Sequence, residues 1–206
     1  MSIFKRNNKN QISEPVFQKA GKAFVVGIAG GTQSGKTTLA KELENALEDI
    51  KVKVFHMDDY YKPKKQIPLA KGPITKKEYT DFNQPDALYF PQLRLDIRQA
   101  IDENNADAII VEGTMMLHDE EILSMLDLKL FVETRVDERA IRYVETYSKH
   151  CGHDAAKNTY LDLTRYRIDE YVEPSKWRAD MILNGSLKSN QAIEIIKTYL
   201  LSKIMR

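Results

Sequence analysis

Gly30-Gly31-Thr32-Gln33-Ser34-Gly35-Lys36-Thr37 follows the apolar run Ala23 to Ala29 and precedes a segment carrying Leu39, Leu43 and Leu47 at helical spacing. The octet fits G-x-x-x-x-G-K-[ST], and it stands where that pattern has physical meaning, between a buried strand and the start of a helix. Glycines permit the tight turn that aims successive backbone N–H groups at a phosphate, and the helix N-terminus adds its partial positive charge. Lys36 supplies a full charge, and Thr37 offers a hydroxyl to a Mg²⁺ bridging the β- and γ-phosphates. The expected nucleotide-binding residues are Gly30, Gly31, Thr32, Gln33, Ser34, Gly35, Lys36, Thr37 and Thr38.

Outward from this loop, short apolar runs recur at Val52 to His56, Ala108 to Val111, Leu128 to Glu133 and Ala179 to Leu183. With Ala23 to Ala29 they read as five buried strands. Helical patterns separate them: Leu39, Leu43 and Leu47; Leu93, Ile97 and Ile101; Ile141 and Val144; Ile196, Leu200 and Ile204. This βαβα alternation predicts the α/β class, a parallel sheet with helices on both faces and ligands gathered at the strand C-termini. Two stretches break the rhythm, Lys62 to Asp86 and Lys149 to Asn158, and both read as elements that close over a substrate at that edge.

The chain has 206 residues, 42% apolar and 30% charged, the balance of a globular protein rather than a disordered or fibrous one. Its 31 Lys and Arg against 30 Asp and Glu leave a net charge of +1, so no general attraction to nucleic acid or to an anionic membrane is expected. The longest nearly apolar run, Ala23 to Gly31, is too short to span a bilayer. Residues 1–21 read as a loose leader with a short helix near Val16 to Ala20, and they lack the features of an export signal. Cys151 is the single cysteine, which fits a reducing cytoplasm. His150, Cys151 and His153 read as a polar lid loop rather than a zinc site, which would want four ligands.

Two strand ends carry carboxylates suited to the loop's chemistry. Ile109-Ile110-Val111-Glu112-Gly113 presents Glu112 where a Mg²⁺ water beside such a loop is held, with Glu133 as its rival. Val54-Phe55-His56-Met57-Asp58-Asp59-Tyr60-Tyr61 leads a strand into paired aspartates and tyrosines. A carboxylate there can take the proton of an acceptor hydroxyl and also reach the metal, while an aromatic ring packs a base or sugar. Helix capping is the competing role for either aspartate. No Asn-Lys-x-Asp stretch of the kind guanine recognition needs occurs. The lysines from Lys62 to Lys77 read as a solvated loop, with attraction of an anionic substrate such as a phosphorylated sugar as the alternative, and Tyr79, Phe82 and Tyr89 either line an acceptor pocket or fasten the insertion.

From about Phe24 to Ile204 the chain resembles the uridine kinase family of P-loop nucleoside kinases. The family's loop matches Gly30 to Thr37, its strand-end Asp followed by aromatic-Tyr matches Asp58 to Tyr61, and its Glu-Gly matches Glu112-Gly113. Phe82-Asn83-Gln84-Pro85-Asp86-Ala87 is similar to its Phe-Asp-His-Pro-Asp-Ala, Asp127 to Thr134 to its Asp-x-Lys-x-Phe-Val-Asp-Thr, and Glu173 to Asp180 to its Glu-Pro-Thr-Lys with Ala-Asp. The resemblance implies a three-layer P-loop NTPase fold with a five-stranded parallel sheet and a small lid, ATP or GTP as donor, Mg²⁺, and a nucleoside 5′-hydroxyl as acceptor. It implies Asp58 as the base; Lys36 and Arg142 are the other expected catalytic groups, and Thr37, Glu112 and Asp58 are expected around the metal. Tyr61, Tyr79, Phe82, Asn83 and Asp86 form the expected acceptor set.

The chain departs from the family at three places. Asn83 and Gln84 stand where the family has Asp and His, and no Tyr-Asp-x-x-x-His-x-Arg segment occurs between Asp86 and Glu112. In the lid, Arg139 and Arg142 remain, but Lys149 to Asp154 replaces the family's Glu-Arg-Gly-Arg. Arg139 and Arg142, three apart, share a helix face and can approach one anion together; Arg165 and Arg167 are alternatives, with Asp162 and Asp169 at ion-pairing spacing from Arg165. Asp58 to Pro63 and Tyr160 to Arg167 also resemble nicotinamide riboside kinase. The expected layout is a kinase domain over 22–206, with an acceptor-side insertion at 62–86 and a lid at 143–160. The rival of another class is a nucleotide-binding regulatory protein without an efficient acceptor site. A homo-oligomer is compatible with either.

Overall fold

The computed structural model describes residues 21–205, so the expected leader helix lies outside the described residues. Phe24–Ala29 forms β1, followed by α1 (Lys36–Ala46), β2 (Val52–His56), the short strands β3 (Leu69–Lys71) and β4 (Glu78–Thr80), α2 (Phe90–Glu103) and β5 (Ala108–Glu112). Then come α3 (Glu120–Leu123), β6 (Leu128–Glu133), α4 (Val136–Cys151), α5 (His153–Thr159), α6 (Arg165–Arg167), β7 (Met181–Asn184) and α7 (Asn190–Ile204). Two π-helical segments, Tyr160–Thr164 and Ile168–Val172, flank α6.

Side chains alternate across a strand, so β1 sends Val25 and Ala29 to one side and Val26 and Ile28 to the other. Both sides are covered. Leu93, Ile97 and Ala100 of α2 close the first, while Ala40 and Leu43 of α1 with Ile193, Ile196 and Leu200 of α7 close the second. Each fully buried aliphatic side chain contributes roughly 1.5–3 kcal/mol, which is why five short apolar runs suffice to fix the sheet. The five strands are parallel in the order β2-β5-β1-β6-β7, as expected for a three-layer α/β fold.

This order positions the site. From β1 the chain builds β2 and β5 on one side and β6 and β7 on the other, so the crevice beyond the C-terminus of β1 is the topological switch point. Ala29, His56 and Glu112 end their strands together, with His56 opposite Glu112 in the β2–β5 register.

The expected apolar face of α4 is not the one it buries. Ile141 is 60% exposed, whereas Arg139 and Tyr143 are buried. The helix leans on the polar loop at the strand ends rather than lying across the sheet, so a cation and an aromatic ring fill its inner face. The expected Arg165 pairs do not form either; among the described residues Arg165 meets Tyr166, and Asp162 turns to other partners.

Strands β3 and β4 form an antiparallel hairpin tied to the helical 160s by two buried carboxylates. Asp162 accepts from the Ile74 and Thr75 N–H groups at 2.8 and 3.1 Å, from Tyr79 Oη at 3.0 Å and from the Thr75 hydroxyl. Asp81, in return, accepts from Arg167 Nε at 2.7 Å and from Asn83 N and Gln84 Nε2, each at 3.0 Å. Burial works to raise the Asp162 pKa, but hydrogen bonds from Thr75, Ile74 and Tyr79 outweigh it and hold the carboxyl at about 2. An acid depressed on folding stabilises the fold above its unfolded pKa of about 3.9, and that contribution fades as pH falls toward its folded value. Protection of the Ile74 and Thr75 amides from hydrogen exchange is therefore expected to decline between about pH 4 and pH 2, and to be lost at neutral pH in Asp162→Ala. Full protection of both amides in the variant would show that the hairpin stands without this anchor.

Candidate active site

The loop between β1 and α1 depends on glycine at two points. Gly35 precedes the first residue of α1 at φ 101°, a region that L side chains rarely adopt. At Gly31 an added Cβ would stand 1.8 Å from Arg139 Nη1. Beneath the loop, Thr134 Oγ1 donates to the Ser34 carbonyl at 2.8 Å, and Arg139 Nε donates to the Thr134 carbonyl at 3.1 Å. The residue after β6 thus holds the loop from below.

Lys36 folds back over the loop, its Nζ donating to the Gly31 carbonyl at 3.1 Å. Burial lowers its pKa, while the carboxylates of Glu112 and Asp58 work against that shift. One residue on, Thr37 Oγ1 donates to Glu112 Oε1 at 3.0 Å. His56 Nδ1 lies 2.8 Å from the same oxygen, so the last residue of β2 and the first turn of α1 converge on the carboxylate that ends β5. Glu112 is buried; Glu133, its rival, instead accepts from Lys176 at 3.0 Å.

Asp58 follows β2 in a 3₁₀ turn, Met57–Tyr60, and faces Lys36 across the cleft. Among the described residues neither Asp58 nor Asp59 makes a capping hydrogen bond. Asp58 is exposed and borders the cleft. Partial desolvation by the cleft walls raises its pKa, Lys36 opposes the rise, and the nearby negative charges of Glu112 and Asp59 add to it. A carboxylate poised above its ordinary range, beside a cation, suits proton acceptance.

These groups line one cleft of about 540 Å³. Of the expected residues, Thr32, Gln33, Gly35, Lys36, Thr37, Thr38, Asp58, Tyr61, Phe82, Asn83, Glu112 and Arg142 border it. Gly30, Gly31 and Ser34 form the loop's underside. Two expected acceptor residues lie elsewhere. The Tyr79 hydroxyl is committed to Asp162, so it fastens the hairpin, and exposed Asp86 borders a separate groove beside Arg94 and His118. Tyr89 also fastens, donating to Gln66 Oε1 at 2.7 Å. Arg142 reaches the cleft but is engaged: Nη1 donates to the Gln33 and Gly185 carbonyls at 3.3 Å each, and Nη2 to Glu138 at 3.2 Å. Arg139 does not join it there. Its buried guanidinium sits behind the loop, paired with Glu173 at 3.2 Å.

A model of the phosphoribulokinase/uridine kinase family matches residues 94–191. The uridine kinase of Lactobacillus helveticus is 30% identical over 209 residues, spanning 89% of this chain and 97% of that protein. The chain belongs to this family. A uridine kinase of Staphylococcus aureus is likewise 30% identical over 203 residues, spanning 88% of this chain and 97% of its own. Among solved structures, a possible uridine kinase from Bacillus stearothermophilus gives a TM-score of 0.50 at 23% identity, covering 82% of this chain and 91% of its own. Phosphoribulokinase from Rhodobacter spheroides gives 0.60 at 11% identity, covering 79% and 70%. These two likenesses concern the fold, a five-stranded parallel sheet with helices on both faces.

As a member of the phosphoribulokinase/uridine kinase family the chain is a phosphotransferase, and several of its cleft residues were not singled out from sequence. Tyr143 and Tyr147, on α4, stack at 4.3 Å with their planes 29° apart. Burial pushes the Tyr143 hydroxyl up to about 12. Their four-residue spacing on one helix was the available signal. Thr80, Thr114 and Thr159 add neutral hydroxyl-bearing side chains to the wall. Asp81 and Asp162 carry no local signature, since their partners lie up to 88 residues away. A second groove of about 260 Å³ continues past Gly35 and Thr38 to Leu183, Asn184 and Leu187.

Proposed function

We propose that the protein is a cytoplasmic, Mg²⁺-dependent kinase that transfers the γ-phosphoryl group of ATP to the 5′-hydroxyl of a nucleoside, with uridine as its best acceptor. The observation that carries this reading is Asp58 facing Lys36 in one cleft whose lining also carries the uncharged, mostly aromatic side chains of Tyr61, Phe82, Asn83 and Tyr147. Such a lining accepts a flat, neutral base with hydroxyl-bearing sugar and offers nothing to a phosphorylated sugar. Neither nucleic acid nor a membrane is a proposed partner, and no helix among the described residues is long and apolar enough to cross a bilayer.

In the mechanism, the loop amides and Lys36 hold the donor phosphates, and Asp58 takes the proton of the incoming hydroxyl. The groove past Thr38 is the place for the donor base. Thr37 and Glu112 fit Mg²⁺: both are hard oxygen donors 3.0 Å apart, with Asp58 in the same cleft. Among the described residues no three His, Cys, Asp or Glu side chains form a metal cage. Mg²⁺ needs none, because it takes one or two protein oxygens and completes its shell with phosphates and water. When bound it would neutralise charge on the β- and γ-phosphates.

Retention of Lys36, Thr37, Asp58 and Glu112 in one cleft disfavours a regulatory protein without catalysis. The alignment of uridine kinases over nearly the whole chain supports uridine over nicotinamide riboside. Asn83, neutral in the wall, bears on selectivity, because strong rejection of analogues needs buried polar groups left unpaired by the wrong ligand. ADP release with uridine, cytidine, adenosine, nicotinamide riboside, pantothenate and a sugar phosphate tests this. Uridine is expected to be fastest, with other nucleosides within roughly tenfold and sugar phosphate inert. ADP release that no nucleoside raises above the water background would overturn the reading.

A further inference from the structure

A phosphoryl group in transit spreads charge over three equatorial oxygens and needs donors beyond the loop amides. Among the described residues lining the cleft, the cations are Lys36 and Arg142. Lys36 approaches from the loop side. Arg142 is spent on bracing the loop, with three hydrogen bonds to Gln33, Gly185 and Glu138 that a turn toward phosphate would break.

Tyr147 adds a neutral hydroxyl donor to the same cleft. Its ring is fixed by the stack on Tyr143, which in turn packs on the buried ring of Tyr160 at 5.1 Å, so three aromatic side chains run from the lid core into the cleft. Its hydroxyl lies beside the Thr32 side chain of the loop and within the field of Asp58, between the donor and acceptor sides of the reaction. One residue earlier, Thr146 Oγ1 donates to Gln33 Oε1 at 3.4 Å, so this turn of α4 is docked on the loop. A phenol of ordinary pKa is already protonated at neutral pH; here burial and the Asp58 carboxylate raise the Tyr147 pKa while a hydrogen bond with the Thr32 side chain lowers it.

We propose that the Tyr147 hydroxyl is a catalytic hydrogen-bond donor to an equatorial oxygen of the γ-phosphoryl group as it transfers. The inference rests on the phosphotransfer reading above. In the step, the acceptor oxygen forms a bond to the γ-phosphorus and the bond from that phosphorus to the β,γ-bridging oxygen breaks. The electron pair leaves on ADP, the hydroxyl proton passes to Asp58, and Tyr147 keeps its own proton.

Tyr147→Phe keeps the ring stack and removes the donor. Its kcat should fall by roughly 10- to 100-fold, with the nucleoside KM and the thermal midpoint unchanged. In calorimetry with Mg²⁺, the ADP–aluminium fluoride complex should bind at least about tenfold more weakly to the variant, while ADP alone binds as to wild type. Tyr147→Leu separates the competing role. If Tyr147→Phe matches wild type in kcat and in aluminium fluoride affinity, while Tyr147→Leu raises the nucleoside KM, the ring is only a base-stacking wall and the proposal is wrong. A wild-type enzyme that phosphorylates no nucleoside would remove the nucleoside reading alone, because the aluminium fluoride comparison needs no acceptor.

Discussion

In Lys36→Ala, nucleotide affinity and turnover are expected to fall together, affinity by at least about tenfold and turnover by roughly 10² to 10³. The ammonium is buried, held at the Gly31 carbonyl, and close enough to Glu112 and Asp58 for their charges to oppose its desolvation. A charge placed against the β- and γ-phosphates acts in the ground state and the transition state alike, so both constants must report its loss. Lys36→Met, which fills the space without the charge, should behave in the same way and keep the thermal midpoint. Calorimetry with ATP and Mg²⁺ checks the affinity directly. Wild-type affinity in both variants would move the donor site away from this loop.

Asp58→Asn is expected to separate the two constants instead. The amide keeps the shape but cannot take a proton, so ATP affinity should change little while turnover drops by roughly 10² to 10⁴. Asp59→Asn is the matched control, since Asp59 is exposed, lies outside the cleft lining and contributes only a neighbouring charge to Asp58. Turnover should stay within about threefold there. A greater loss in Asp59→Asn than in Asp58→Asn would assign the base to the wrong member of the pair.

The two carboxylates were legible because Glu112 ends a strand and Asp58 closely follows one, and a strand end is a local feature: an apolar run stops and a charged residue follows. Glu112 and Asp58 needed only the parallel order of β2, β5 and β1 to be brought to the same edge. The acceptor side was less legible. Tyr79 and Phe82 are three residues apart and equally aromatic, yet one is tied to Asp162 and the other borders the cleft. Nothing in their neighbourhood distinguishes them, because the deciding partner is 83 residues away.

The amino-acid sequence by itself determined the α/β class, the five strands, the phosphate-binding loop and the carboxylates at the strand ends, since alternation, apolar runs and glycine spacing act over a few residues. Tertiary structure alone decided which face α4 turns inward, that Arg139 backs the loop while Arg142 braces it, that Asp81 and Asp162 anchor the hairpin, and that Tyr147 enters the cleft. In α4 the apolar Ile141 faces outward while Arg139 and Tyr143 turn inward, so the spacing of its apolar residues does not mark the buried face. Its orientation follows from the polar partners that distant segments present, and a buried carboxylate is stable only where those partners happen to meet it.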